Sequence, residues 1–376
     1  MNAKRFTIDI PQAALDDVQE RLRKTRFPDE AEAVAAGWQN GTDVTYMKEL
    51  VDYWQHKYDW RKHESNLNKF AHFKAEVEGV DIHFIHERSK KPNAKPIILT
   101  HGWPDSFYRF HKVIPLLAED FDVVVPSLPG FGFSERRAMN SSAIADLWAK
   151  LMSEVLGYGS FLAAGGDLGS PVTKALAMHH VGVVEAVHLT DVGYPTGQED
   201  PVTLTEAEQE FVNMAQWWSM TEGAYLFVQG NKPHSLAYGL NDSPVGLAAW
   251  IISFVNGGNE TAVADEAFGS RDELLTNIMI YWLTETAGSA ARMYREEAKT
   301  TYGGDWNAQP VMPQKSGVPA AVALFPGDSQ FPREWAERQG LNVRRFSKLP
   351  KGGHFAALDA PEVFAKDLRE SFADLA

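Results

Sequence analysis

The sequence predicts an α/β fold: a mostly parallel, doubly wound sheet flanked by helices, with an inserted helical block. Three observations carry that expectation. Apolar runs suited to strands buried on both faces alternate with helical patterns from Pro96 to Val192. The rhythm stops between about Gly193 and Pro313, where helical patterns and aromatics carry no clear strand, and it resumes at Val318. Within the first stretch, the apolar run Phe161-Leu162-Ala163-Ala164 enters the turn Gly165-Gly166-Asp167-Leu168-Gly169, which opens a helix.

The elements follow in order. Ala14, Leu15, Val18 and Leu22 lie at helical spacing in a helix from Pro11 to about Arg26, ended by Pro28. A second helix, Tyr46 to Tyr58, turns Leu50, Val51, Tyr53 and Trp54 to one side. Phe70 to Val77 and Val80 to Glu87 read as a hairpin around Glu78-Gly79. Strands are expected at Pro96 to Thr100, Phe121 to Pro126, Phe161 to Gly166 and Val183 to Val192. Helices are expected at Phe107 to Leu117 and at Ile144 to Leu156, the latter behind the capping cluster Asn140-Ser141-Ser142. After the inserted block come strands Val318 to Phe325 and Val343 to Leu349 and a last helix from Pro361 to Phe372.

Composition narrows the class of function. With 376 residues, 44% of them hydrophobic and 23% charged, the chain can bury a large core. A net charge of -14 argues against nucleic acid or an anionic membrane as partner. The absence of cysteine excludes disulfides, thiolate nucleophiles and cysteine-based metal sites. No apolar run approaches the ~20 residues of a spanning helix. The opening residues show neither a long apolar segment nor a small-residue cleavage site, so the expectation is a cytoplasmic protein without a membrane anchor.

The turn at Asp167 has the layout of an α/β-hydrolase nucleophile elbow with aspartate in the place of serine. A carboxylate that attacks an ester or amide carbonyl gives a labile anhydride, whereas attack on a saturated carbon gives an ester that water can open. The expected substrate is therefore an epoxide or an alkyl halide. The triad order of such folds is nucleophile, acid, histidine. Asp328, in Phe325-Pro326-Gly327-Asp328, and His354, in Gly352-Gly353-His354-Phe355, stand in that order after late strands. His101-Gly102-Trp103-Pro104 follows the strand Pro96 to Thr100, where one oxyanion donor belongs; the expected donors are the backbone N–H groups of Trp103 and Leu168. Trp103, Pro104, Leu168 and Phe355 are expected to line the substrate pocket. A departing halide wants Trp or Asn N–H donors, and Leu168 removes one position for them. An opening epoxide wants a tethered acid such as a phenol, and the inserted block offers Tyr225, Tyr238, Tyr281 and Tyr294, among which spacing does not choose. Nothing in this chemistry requires a metal or an organic cofactor.

The chain resembles the microsomal-type epoxide hydrolases over nearly its whole length. The matching stretches include Arg26-Phe27-Pro28, Tyr58-Asp59-Trp60, Glu78-Gly79-Val80-Asp81-Ile82-His83, His101-Gly102-Trp103-Pro104, Pro129-Gly130-Phe131-Gly132-Phe133-Ser134, Gly165-Gly166-Asp167-Leu168-Gly169-Ser170, Leu240-Asn241-Asp242-Ser243-Pro244 and Gly352-Gly353-His354-Phe355. The resemblance implies an α/β-hydrolase core at 70–192 and 314–376, a helical cap at 193–313, and an N-terminal segment, 1–69, packed around both. It implies Tyr225 and Tyr294 as the epoxide-binding tyrosines. It further implies conversion of a small apolar epoxide and water to a vicinal diol through an alkyl ester on Asp167. Leu168 departs from the pattern, since the family often has Trp there. One rival expectation is a haloalkane or haloacid dehalogenase with the same Asp–His–Asp set. The other is a catalytically silent hydrolase-fold binding protein, which would have lost part of the machinery.

Overall fold

The computed structural model describes residues 3–28, 31–197, 199–255, 264–301 and 315–375. Among them nine strands build one sheet: β1 (Lys4–Arg5), β2 (His72–Val77), β3 (Val80–Glu87), β4 (Lys95–Thr100), β5 (Phe121–Pro126), β6 (Phe161–Gly165), β7 (Val184–Leu189), β8 (Pro319–Leu324) and β9 (Asn342–Lys348). Their order across the sheet is β1-β2-β3-β5-β4-β6-β7-β8-β9. From β5 to β9 every pairing is parallel, while β1, β2 and β3 form an antiparallel edge. Helices cover both faces of the central strands, so Ile97, Ile98, Val123, Val124, Leu162 and Ala163 are fully buried. Burial on both faces is why these strands read as unbroken apolar runs. At the β2–β3 hairpin Val77 pairs with Val80 across a turn in which Glu78 and Gly79 both take positive φ, 51° and 72°. That geometry matches the strand twist and favours glycine at its second position.

Several elements differ from the sequence expectation, for local reasons. The helix expected at Phe107 to Leu117 is a short 3-10 turn, Phe107–Phe110, followed by the helix Val113–Leu117. Pro115 has no N–H to continue a helix from upstream, but it sits comfortably in the first turn of a new one. The helix expected from Ile144 begins at Ser141, where the Asn140 side chain accepts from the Ala143 N–H at 2.9 Å, and it relaxes into a π-turn over Leu151–Val155. Strand β1 is too short to show alternation. The helix Trp60–Leu67, capped by Asp59, is masked by its polar composition.

The inserted block contributes the helices Glu206–Thr221, Ala224–Asn231, Pro233–Asp242, Pro244–Val255, Ala264–Ala267, Arg271–Leu283 and Ala287–Thr301. No strand lies among its described residues. Its expected end, at 313, falls outside the described residues. Glu208 on the first of these helices pairs with Arg338 of the core at 2.6 Å, and the Ser289 hydroxyl donates to the Gly130 carbonyl at 2.5 Å. From the N-terminal part, Tyr46 donates to Asp265 at 2.7 Å and Tyr53 to Asp272 at 2.8 Å, while the Thr42 hydroxyl reaches the Ala249 carbonyl. Among the described residues no helix is long and apolar enough to cross a membrane.

Three buried histidines stiffen the antiparallel edge. The Leu67 carbonyl can only accept, so His72 carries its proton on Nε2 and accepts at Nδ1 from His83 Nε2. His83 Nδ1 then accepts from the Ser127 hydroxyl at 2.8 Å. Burial lowers the pKa of both rings and pushes His86, which contacts the Tyr158 hydroxyl at 2.9 Å, down to about 4. In the unfolded chain these rings take up protons from about pH 6.5 downward. Their contribution to stability is therefore complete above that pH and is lost as pH falls below it, for His86 down to about 4. The urea midpoint is expected to drop between pH 7 and pH 5, with a smaller drop in His86→Gln. An equal drop in the variant rules out this histidine as a source.

Candidate active site

Asp167 stands at the end of β6 with φ of 54°, a left-handed conformation that aspartate tolerates better than most residues. The elbow needs close approach of backbone. A Cβ on Gly169 would lie 2.1 Å from the Thr100 carbonyl oxygen, and a Cβ on Gly102 would lie 2.1 Å from Asp167 Oδ1. Because both positions lack a Cβ, the loop after β4 closes over the carboxylate. Asp167 Oδ1 accepts from the Trp103 N–H at 2.7 Å and from the Leu168 N–H at 2.6 Å. Its other oxygen, Oδ2, lies 3.3 Å from His354 Nε2. On the far side of the ring, His354 Nδ1 is 3.0 Å from Asp328 Oδ1. Asp328 follows β8, and a parallel bridge between Gly327 and Gly353 joins its loop to that of His354.

The charges support one another. Burial disfavours the His354 imidazolium, but the Asp328 and Asp167 carboxylates outweigh that cost and raise its pKa well above an ordinary histidine. Burial likewise opposes ionisation of Asp328, and the neighbouring His354 reverses the balance and lowers its pKa. Asp167 and His354 keep 15% and 29% side-chain exposure, so a small molecule can reach them.

The structure separates the four tyrosines. Tyr225 stacks on Trp103 with ring centroids 5.1 Å apart, and Tyr294 stands edge-on to Trp103 at 6.0 Å. Phe254 closes on Tyr225 at 4.5 Å. Burial and the charge of Asp167 raise both phenols above the ordinary tyrosine range, so each stays protonated and able to donate. Tyr281 instead donates to the Asp105 carbonyl at 2.6 Å, and Tyr238 is 83% exposed. Of the expected pocket residues, Trp103 donates its N–H to Asp167 and packs its ring against both tyrosines, and Leu168 is half-buried at the elbow. The Pro104 carbonyl accepts from Asn277, and Phe355 packs behind the base, 4.8 Å from the His354 ring and 4.6 Å from that of Phe268.

Three charged residues near the site escaped the sequence reading: Asp105, Arg109 and Asp191. Gly165 pairs with Leu189 across β6 and β7, so Asp191 lies two residues past its strand partner just as Asp167 does. Burial pushes its carboxyl up to about 6. An acid repeated at equivalent ends of adjacent strands is the signal that could have revealed it.

A family model described as the epoxide hydrolase N terminus matches residues 3–110, and the alpha/beta hydrolase fold model matches 95–240. A putative epoxide hydrolase of Stigmatella aurantiaca (strain DW4/3-1) is 40% identical over 98% of this chain and 84% of that protein. The chain belongs to the epoxide hydrolase family. Epoxide hydrolase 1 of Sus scrofa is 34% identical over 97% of this chain and 87% of its own length. The epoxide hydrolase of Aspergillus niger superposes with a TM-score of 0.83 at 28% identity, covering all of this chain and 97% of the other. Juvenile hormone epoxide hydrolase of the silkworm Bombyx mori also gives 0.83, at 26% identity, over 99% and 94% of the two chains. The chain thus has the α/β-hydrolase fold, and the relatives that it matches are epoxide hydrolases.

Proposed function

We propose that the enzyme opens a small apolar epoxide to a vicinal diol in two chemical steps, with Asp167 as nucleophile. One observation carries the reading: Asp167 Oδ1 is already held by two backbone N–H groups while Oδ2 faces His354. A carboxylate so placed has one oxygen to attack with and one to become the carbonyl oxygen of an ester.

In the first step Oδ2 attacks a ring carbon, the carbon–oxygen bond of the epoxide breaks, and the freed oxygen takes a proton from Tyr225 or Tyr294. Asp167 is then a neutral ester. One of the two carboxylates that held the proton on His354 has lost its charge, and the released imidazolium proton restores the phenol. In the second step neutral His354, oriented by Asp328, takes a proton from water as the water oxygen attacks the Asp167 carboxyl carbon. The Trp103 and Leu168 N–H groups hold the oxyanion on Oδ1. Collapse expels Oδ2 as a hydroxyl of the diol, protonated by His354. The remaining proton of the new carboxyl group then passes to His354 and regenerates the starting pair. Epoxide and water are consumed and a diol is formed, with no proton exchanged with solvent overall.

The cluster of Trp103, Tyr225, Phe254 and Tyr294 favours an apolar substrate. In this reading the described residues of 193–313 form the roof that carries both acids, and the described residues of 1–69 fasten that roof from outside. Tyr225→Phe and Tyr294→Phe are each expected to slow ester formation roughly 10- to 100-fold, and the double variant about 100- to 10,000-fold, read as loss of kcat/KM. Full ester formation in the double variant excludes the tyrosines as the acids. Diol formation from styrene oxide, assayed beside halide release from a chloroalkane, separates epoxide opening from dehalogenation; the expected result is diol alone.

A further inference from the structure

The second chemical step places demands on two loops at once. The turn after β4 has to hold the oxyanion donor, and the loop after β9 has to hold the base, both at fixed distance from one carboxyl carbon. A buried ion pair joins these loops. Asp105 closes the first by accepting the Gly102 N–H on Oδ1 at 2.7 Å, and its Oδ2 pairs with Arg109 Nη1. The other arm of the guanidinium, Nη2, donates to the main-chain carbonyl of His354. That same arm passes beneath the elbow, where a Cβ on Gly166 would come within 3.0 Å of it. The guanidinium carbon lies 5.4 Å from the centre of the Phe355 ring. Both charged side chains are almost fully enclosed, with 2% and 0% exposure. Burial works against the ionised forms, yet the pair holds Asp105 down at about 2 and Arg109 above its ordinary value.

Burying two charges is a poor way to gain stability, because well-packed apolar side chains of similar volume do as well or better. What a planar fork supplies instead is direction, since its donors leave at fixed angles. Here one arm is set by the oxyanion turn and the other sets the backbone of the base. We propose that Arg109, oriented by Asp105, is a positioning residue for ester hydrolysis: it holds the Gly102-Trp103 turn and the His354 main chain in register about Asp167. This rests on the covalent route given above. The guanidinium is not aimed at the substrate. Ester formation relies on Oδ2 and the tyrosines, none of which Arg109 touches, whereas hydrolysis relies on both loops that it joins, so its loss falls mainly on the second step.

The test compares the wild type with Asp105→Asn/Arg109→Met, which removes both charges and leaves neither buried alone. Arg109→Lys keeps the charge without the planar fork. Thermal unfolding reports folding of each variant. Rapid quench with styrene oxide, read by intact mass, gives the rates of ester formation and decay. In the double variant decay is expected to slow about 10- to 100-fold, the scale of a small misplacement of catalytic groups, with formation within about twofold. Steady-state kcat and KM then fall together at constant kcat/KM once decay limits turnover. Arg109→Lys is expected to show the same pattern in milder form, and it carries the test alone if the double variant does not fold. Formation slowed as much as decay, or neither rate changed, overturns the proposal. A parallel His354→Gln sample that gains no adduct overturns the covalent route instead, so the two failures are distinguishable.

Discussion

His354→Gln is expected to alkylate itself once and stop. Glutamine cannot take the proton of the attacking water, while Asp167 Oδ2, the two tyrosines and the oxyanion donors remain as they were. Loss of the base should slow ester hydrolysis about 100- to 10,000-fold. The intact mass should rise by one substrate, and peptide mapping should place the addition on Asp167. In the proposed route His354 enters the cycle protonated, because Asp328 and Asp167 flank it, and becomes a base only after Asp167 is esterified. The variant thus separates a step that needs no free imidazole from one that does. Normal turnover in His354→Gln would falsify the assignment of the base.

Asp167→Asn is expected to lose turnover by about 10,000-fold or more, the scale seen when a catalytic nucleophile is removed, and to gain no mass from substrate. Asparagine is the informative replacement. It is nearly the same size, it tolerates the positive φ at this position, and its amide oxygen can still accept from the Trp103 and Leu168 N–H groups. The fold and the oxyanion site should survive, so the loss reports the missing carboxylate rather than a collapsed site. Retained diol formation at even a hundredth of the wild-type rate would mean that water attacks the epoxide directly and that Asp167 serves only as a base.

Much of the site was legible because the chemistry sits at strand ends. β4, β6 and β8 are buried on both faces, so each shows as an apolar run with a proposed site residue just beyond it: the His101-Gly102-Trp103 turn, Asp167 and Asp328. Tyr225 and Tyr294 were not separable from Tyr238 and Tyr281 by pattern, because a helical tyrosine looks alike whether it packs, donates or faces solvent. Resemblance to a family pointed to the pair, and contact with Trp103 now distinguishes them. Asp105 and Arg109 stand four residues apart, the spacing of an ordinary surface ion pair on a helix. Only the tertiary fold encloses them and turns one guanidinium arm towards a carbonyl more than 200 residues away. Strand β1 was hidden for another reason: two residues are too few for side-chain alternation to betray them.

The unequal tethering of the two Asp167 oxygens has an isotopic consequence. In the proposed route Trp103 and Leu168 anchor Oδ1 throughout, whereas Oδ2 departs inside the product and is replaced from solvent. The first diol made in heavy-oxygen water therefore carries away an atom that belonged to the polypeptide, and solvent oxygen emerges only from the second diol onward. However long the enzyme runs, its carboxyl group should hold a single heavy atom and never a pair.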